Sequence, residues 1–487
     1  MLGKNILAVY PHRKQGSEVR FFPPMGLEYV MAAVKDLVEH ITIVDMRFED
    51  DYDLARFVDD RTDSLCVSIN WPPGFVPTPS GLRRDKPGAP VGGVIPELDL
   101  INRIPRRVFT VVGGRWASTH AELVFAQCPG VDVVVLGDGE ETIRDLATAR
   151  SLAEVEGIAW RDSGVVRTNP PRRLAPISET LFPDRALRRY VYSAATKGID
   201  FGITVDSVMS SHGCPFHCKF CAYNADFLGR RRAWQPRSPE SVVAELKTVS
   251  ADVVYFADNN FCVDMARVGR ICDLIVREGI RKTFALEARI DIAKRPDVLA
   301  KMARAGFRII FFGIESASDE SLRTLTKGFT IADVRGALRV MRRFPFFLGG
   351  FFIVGNIGES ERDMRRIAPF AKELGLSFIS LSYLRADRGG ELEDIVKRTP
   401  GYHIGNDARC RVWSDRLPPR KLRRIKRAIT RDFFLSSNFL RGVLRAMSLG
   451  LLKPRHLASI LGSVVGRRVC RKAVGSEAAG MRQGDRP

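Results

Sequence analysis

The sequence predicts an α/β protein: an open parallel sheet of the flavodoxin-like kind, then a partial (βα)6 barrel of the TIM type, then a basic helical extension. Three observations carry this prediction. Short apolar runs alternate with amphipathic stretches through residues 1–150, a second alternating series begins at Phe201, and the composition turns strongly basic after Pro418 and Pro419.

In the first series, strand-like runs at 6–10, 41–44, 65–69, 109–112 and 131–136 enclose helical patterns such as 27–38. Five strands so spaced form βαβ units, whose ligands lie at the strand carboxyl ends. Residues 71–104 are rich in Pro and Gly and read as a long irregular loop. Residues 151–199 read as a linker. The second series has strand-like runs at 201–208, 253–256, 283–287, 308–313, 350–354 and 378–381. Helical patterns at 239–249, 265–278, 296–305, 331–344 and 361–374 separate them. The expected division is therefore 1–150, a linker at 151–199, a barrel at 200–395, and a basic helical region at 396–487. In such a barrel the reacting groups sit on loops that follow the strands.

The chain of 487 residues has room for several cores, and 45% hydrophobic with 27% charged residues is ordinary for a folded protein. Nine cysteines are too few and too irregularly placed for a disulfide framework. No charged, apolar leader opens the sequence and no run reaches the ~20 apolar residues of a membrane span, so a reducing cytosol is the expected setting. The net charge of +20 is uneven, because residues 419–487 hold 17 Lys or Arg against 3 acids. Within them, residues 420–429 make a helix with one basic face, and apolar groups follow at 433–435, 439–440, 443–444 and 457–465. Two readings fit: a helix drawn to an anionic membrane surface, or a cap on the barrel with a solvated face. RNA is disfavoured, because no aromatic stacking pattern accompanies the charge.

The chemistry concentrates after the first strand of the second series, where Cys214, Cys218 and Cys221 fall within eight residues. Three thiolates can hold three irons of a four-iron cluster and leave the fourth iron open to a substrate. A zinc site is the alternative, with His212 or His217 as a further ligand, but the second ligand pair usual for zinc is missing.

The spacing Cys214-x-x-x-Cys218-x-x-Cys221 resembles the signature of the radical S-adenosylmethionine (SAM) superfamily. The resemblance implies a 4Fe-4S cluster whose open iron binds SAM, and one-electron cleavage of SAM to a 5′-deoxyadenosyl radical, with a flavodoxin or ferredoxin as electron donor. It also assigns SAM contacts residue by residue. Phe220 would pack on adenine, the element containing Asp258 would meet the amino group, and Arg289 would pair with the carboxylate. Glu315 and Ser316 would meet the ribose, and Gly355 would let backbone approach the adenosine. For Asp258 a helix cap or turn competes with this role, and for Arg289 a surface salt bridge does.

The front half resembles the cobalamin-binding domain fused to one large radical SAM subfamily. Residues 23–27, the pair Gly113 and Gly114, and the loop with Gly137 and Gly139 carry that likeness. His12 stands where histidine-ligating cobalamin proteins carry Asp-x-His-x-x-Gly, but the Asp is absent and the Gly displaced, so a surface loop is the expected role. The subfamily's activity is methylation of an unactivated carbon, here on a small, apolar or lipid-like substrate. Its rivals are oxidation, cyclisation or coupling without methyl transfer, as in the oxygen-independent porphyrin ring cyclases. Transfer-RNA methylthiolation would need further cluster cysteines, which Cys66 and Cys128 alone do not supply, and a plain electron carrier would not need the adenosine-binding elements. No residue stands out as a catalytic acid or base.

Overall fold

The computed structural model describes residues 1–12, 22–70, 95–196, 199–221, 226, 228–386, 390–405, 411–454 and 456. Residues 71–94 of the loop expected at 71–104, the apolar run at 457–465, and Cys410 and Cys470 lie outside them. The rest of that loop is not irregular, because Pro96 opens a helix that buries Leu98, Leu100 and Ile101.

Strands β1 (Asn5–Tyr10), β2 (His40–Asp45), β3 (Ser64–Ser68), β4 (Phe109–Gly113) and β5 (Val133–Val135) are parallel, in the order β2-β1-β3-β4-β5. Both faces of this sheet are apolar, and helices cover both. Helices α1 (Met25–Val34) and α5 (Glu140–Thr148) pack on Ile6, Ala8, Val111 and Val133, while α2 (Pro96–Asn102), α3 (Arg115–Thr119) and α4 (Ala121–Gln127) pack on Leu7, Val9, Val67 and Val112. This is the doubly wound arrangement the alternation predicts.

The stretch read as a linker holds more structure than expected. Strands β6 (Ile158–Asp162) and β7 (Val165–Thr168) form a hairpin that extends the first sheet antiparallel beyond β5. Every residue of β7 is exposed, so this edge strand lacks the apolar alternation that would mark it in sequence. Strand β8 (Ser193–Thr196) pairs antiparallel with β9 (Ile199–Val208), the first strand of the second sheet.

A short antiparallel pair, β10 (Ser211–His212) and β11 (Gln235–Pro236), follows β9. Strands β12 (Val253–Phe256), β13 (Thr283–Ala288), β14 (Phe307–Glu315), β15 (Phe347–Val354) and β16 (Phe378–Tyr383) then join β9 in chain order, all parallel. Among the described residues the sheet does not close: its six parallel strands form a half-barrel, and antiparallel β8 adds a seventh strand at the edge opposite β16. Its helices are α6 (Pro239–Thr248), α7 (Met265–Arg277), α8 (Pro296–Ala305), α9 (Asp319–Thr324), α10 (Ile331–Met341), α11 (Glu361–Arg365) and α12 (Ile367–Glu373). Ser238, Asp264 and Ser318 cap α6, α7 and α9, and Thr330 and Ser360 form capping boxes with Asp333 and Asp363. The single helix expected at 361–374 is two, because Pro369 has no N–H to bond back to the Arg365 carbonyl.

After β16 come α13 (Glu391–Arg398) and the pair β17 (Tyr402–Ile404) and β18 (Val412–Ser414), then α14 (Pro419–Phe434) and α15 (Ser437–Ser448). Leu422, Ile425, Ile429 and Phe433 recur every three to four residues along α14 and enter the barrel core. Asn438 and Arg445 of α15 donate to the Leu376 and Phe346 carbonyls at 2.7 and 2.9 Å. Helix α15 and the last turn of α14 thus plug the amino end of the half-barrel, while the first turn of α14 reaches the carboxyl end, where Lys421 and Arg424 lie near Glu361 of α11.

The two sheets are bolted together by buried ion pairs. Arg188 donates to Glu28 of α1 and to Asp206 of β9, with all four bonds between 2.7 and 2.9 Å. Arg185 joins Asp206 to Glu245 of α6 at 2.8 and 3.0 Å. Burial alone would raise Asp206, but Arg188 and Arg185 together hold it below the usual carboxylate range.

Candidate active site

The cysteine loop leaves β10 through Gly213, whose φ of +73° suits glycine. A Cβ there would strike the Ala233 carbonyl oxygen, so the loop closes only without a side chain. Cys214, Cys218 and Cys221 follow, all half-buried. The Lys219 N–H donates to the Leu325 carbonyl at 3.2 Å, which fixes the loop to the barrel beyond β14. Arg289, one residue past β13, lies with Nη1 4.0 Å from Cys218 Sγ and its guanidinium 3.8 Å from the Phe216 ring centre. Burial raises the Cys214 thiol, and the Phe216 N–H, Arg289 and Lys327 oppose it. Among the described residues, no three His, Cys, Asp or Glu side chains converge on an ion-sized site. Three thiols on one loop beside two cations instead suit a thiolate-bound cluster of net negative charge.

The other expected residues collect around this loop at the strand carboxyl ends. Phe220 lies 5.6 Å from Lys327 Nζ. Glu315 ends β14 in the left-handed region, φ +69°, which is strained for a residue with a Cβ. Its carboxylate pairs with Lys327 at 3.3 Å, and burial raises its pKa against the pull of Lys327 and Arg289. Ser316 donates to Glu359 at 2.7 Å, and Ser321 and Asn356 share that carboxylate.

Two of the expected residues have partners in the fold that the sequence did not show. Asp258 is buried and accepts from the Ser210 N–H and from the Ser210 and Ser211 hydroxyls at 3.1, 2.8 and 2.5 Å, so its carboxylate secures the approach to the cysteine loop. That is the local, turn-fixing role that competed with a SAM contact. Gly355 has φ +89°, which suits glycine, and a Cβ on it would crowd the Leu422 side chain of α14 at 3.2 Å.

Between the two sheets lies a cavity of about 330 Å³. One wall is the carboxyl edge of the first sheet, with Gly113, Gly114, Ser118, Gly137 and Gly139, and the other holds Met209, His212, Gly213 and Asn259. A Cβ on Gly114 would meet the Ile69 carbonyl group at 2.7 Å, and one on Gly139 would meet Val30 at 2.8 Å. These two glycines are thus held tightly against the first sheet, and with Gly113 and Gly137 they make a cradle bare of side chains along this wall. Because Gly213 adjoins Cys214, the cavity opens directly onto the cysteine loop. Arg232 spans the mouth, donating to His212 Nδ1 at 2.7 Å and pairing with Asp138 of the first sheet. His12 does not line the cavity. It is buried rather than on the surface, with Nδ1 3.5 Å from Glu97 of α2.

Lys327, Arg232 and the Glu28–Arg188–Asp206 bridge escape sequence reasoning. Lys327 and Arg232 sit in loops without pattern. Glu28 left one signal, an acid at a buried position of an apolar helix.

The radical SAM superfamily signature matches residues 208–371, and the B12 binding domain signature matches residues 19–147. An uncharacterized methyltransferase of Pyrococcus horikoshii is 30% identical over 368 residues, covering 73% of this chain and 74% of its own. The anaerobic magnesium-protoporphyrin IX monomethyl ester cyclase of a Synechocystis strain is 26% identical, covering 68% of this chain and 65% of its own. The hopanoid C-3 methylase of Methylococcus capsulatus is also 26% identical, covering 70% and 62%. The chain thus spans just under two thirds of the latter two proteins. In fold it is similar to the radical SAM methyltransferase TsrM of Kitasatospora setae, with a TM-score of 0.65 and 19% identity over 82% of this chain and 77% of that one. The chain belongs to the cobalamin-dependent radical SAM methyltransferase family.

Proposed function

We propose that this chain methylates an unactivated carbon of an apolar, lipid-like small molecule, using a 4Fe-4S cluster, SAM and cobalamin. The observation that carries the reading is the interdomain cavity, with a glycine cradle on one wall and the first residue of the cysteine loop on the other. When bound, the cluster with SAM supplies hydrogen abstraction and the corrinoid supplies the methyl group.

The chain's own residues hold these groups and exclude water. Cys214, Cys218 and Cys221 ligate three irons. Arg289, beside Cys218, pairs with the SAM carboxylate. Glu315, steadied by Lys327, takes the ribose hydroxyls with Ser316, and Phe220 packs on the adenine. Asp258 positions the loop. Gly113, Gly114, Gly137 and Gly139 admit the corrinoid. On this reading the first unit runs on through the hairpin of β6 and β7 instead of ending at 150, and the second begins with β8 instead of at 200. A flavodoxin or ferredoxin of the cytoplasm supplies the electron. No helix among the described residues is long and apolar enough to cross a membrane. Leu435, Leu440 and Leu444, exposed by 77%, 59% and 56% at the end of α14 and along α15, support contact with a membrane face.

The test is reconstitution with iron, sulfide and hydroxocobalamin under anaerobic conditions, followed by desalting. About four irons and about one corrinoid per chain are expected. Iron without corrinoid would sink methyl transfer and leave radical oxidation or ring closure.

A further inference from the structure

The half-barrel strands have two unlike faces. Val254, Phe256, Phe284, Leu286, Ile310, Phe312 and Phe352 point outward to the helices and are fully buried. Their alternates Tyr255, Glu287, Phe311 and Phe351 point into the lumen and keep accessible surface. This inner face is therefore less tightly covered than the outer one, with Phe22 of the first unit lying over Tyr255 at 5.1 Å.

Its lining is aromatic with one polar spot. Phe311 and Phe351 stack at 5.4 Å, Phe378 meets Phe311 edge-on at 6.1 Å, and Phe434 of the α14 plug closes the floor behind Phe378. Glu287 lies beside Phe311 on the neighbouring strand. Tyr255 donates to Glu287 Oε1 at 2.7 Å, and that is the carboxylate's sole hydrogen bond to a described residue. Burial pushes Glu287 above the ordinary carboxylate range, with the Tyr255 bond opposing and Glu315 adding to the rise. Arg289, whose guanidinium lies beside Cys218, stands two residues further along the chain, so the Glu287 backbone sits about 7 Å deeper than that of Arg289. A molecule presenting a carbon beneath the cysteine loop would extend into this spot.

We infer that Glu287, oriented by Tyr255, is the polar anchor of the substrate pocket. Its second oxygen meets a hydroxyl or N–H of an otherwise apolar molecule whose body lies on Phe311 and Phe351. The inference rests on the reading that the lumen holds the methyl acceptor. A lone carboxylate in an aromatic cleft selects strongly, because a ligand without the donor leaves it desolvated and unmatched.

Anaerobic equilibrium dialysis of the reconstituted protein against 2-naphthol and 2-methylnaphthalene, alike in shape and different in one donor, tests this. The wild type should hold 2-naphthol about tenfold more tightly, as expected for one hydrogen bond to a carboxylate. Glu287→Met should erase the preference, Tyr255→Phe should shrink it severalfold, and Phe311→Ala should weaken both probes alike. Iron content and melting temperature check that each variant folds, and Tyr255→Phe, which removes one oxygen atom, serves if Glu287→Met does not. Equal affinity of the wild type for both probes would overturn the inference, as would a preference that survives Glu287→Met or, where Tyr255→Phe stands in, one that this variant leaves undiminished. Failure to retain corrinoid in the same samples would instead count against methyl transfer, whichever way the probe preference falls.

Discussion

At the scale of single residues, the site depends on positions where a side chain is forbidden as much as on those where one is required. Gly213 shows the first kind. Its left-handed backbone costs an L-residue about 1–2 kcal/mol, and the Ala233 carbonyl has no room to yield. Gly213→Ala should therefore displace Cys214 and lose most of the reconstituted iron, while the far-ultraviolet circular dichroism stays near that of the wild type. Iron retained at the wild-type level would show that the loop closes by another route. The cysteines were legible in sequence because three thiols in eight residues have few other uses, and their surroundings were less so. Asp258 and Gly355 carry the residue types that a SAM contact needs. Their nearest partners are instead Ser210 with Ser211, and Leu422, and those partners come from other parts of the chain. A motif states what chemistry a side chain can do, and only the fold decides what faces it.

At the scale of elements, the alternating pattern located the six half-barrel strands and their helices closely, because each buries one regular face. It failed where an element buries little, as in β7, or where one proline divides a helix, as between α11 and α12. Helix α14 shows how a single element can satisfy two readings of one sequence. Its apolar stripe belongs to the barrel core, while Arg424, Arg427 and Arg431 remain exposed. Ile425→Ala should cost about 2–5 kcal/mol in urea denaturation, as a cavity deep in a packed core does. Replacing Arg424 and Arg427 by Gln should change stability by no more than about 0.5 kcal/mol each. The same pair should weaken sedimentation with phosphatidylglycerol vesicles if this end of the molecule meets an anionic membrane. Unaltered sedimentation would confine α14 to capping the barrel.

For the whole molecule, the geometry that matters is the distance between the glycine cradle of the first sheet and the cysteine loop of the second, and buried charge sets it. Arg188 grips Glu28 and Asp206 from opposite sides of the interface, and burial keeps Glu28 above the ordinary carboxylate range even so. Removing the guanidinium leaves Glu28 without its partner and Asp206 with Arg185 alone. Breaking such a pair from one side typically costs about 3–5 kcal/mol, whereas replacing both partners with uncharged groups is often close to neutral. Arg188→Ala should therefore destabilise the protein by that amount, and the combined Glu28→Gln and Arg188→Met variant should recover at least half of the loss. Because the cavity has one wall on each sheet, Arg188→Ala should also lower corrinoid retained after desalting while the iron, held by one loop, stays. Loss of both together would mean that the interface supports the cysteine loop itself. A change in stability below about 1 kcal/mol would mean that apolar packing, such as Phe22 against Tyr255 at 5.1 Å, holds the two sheets in register without the bridge.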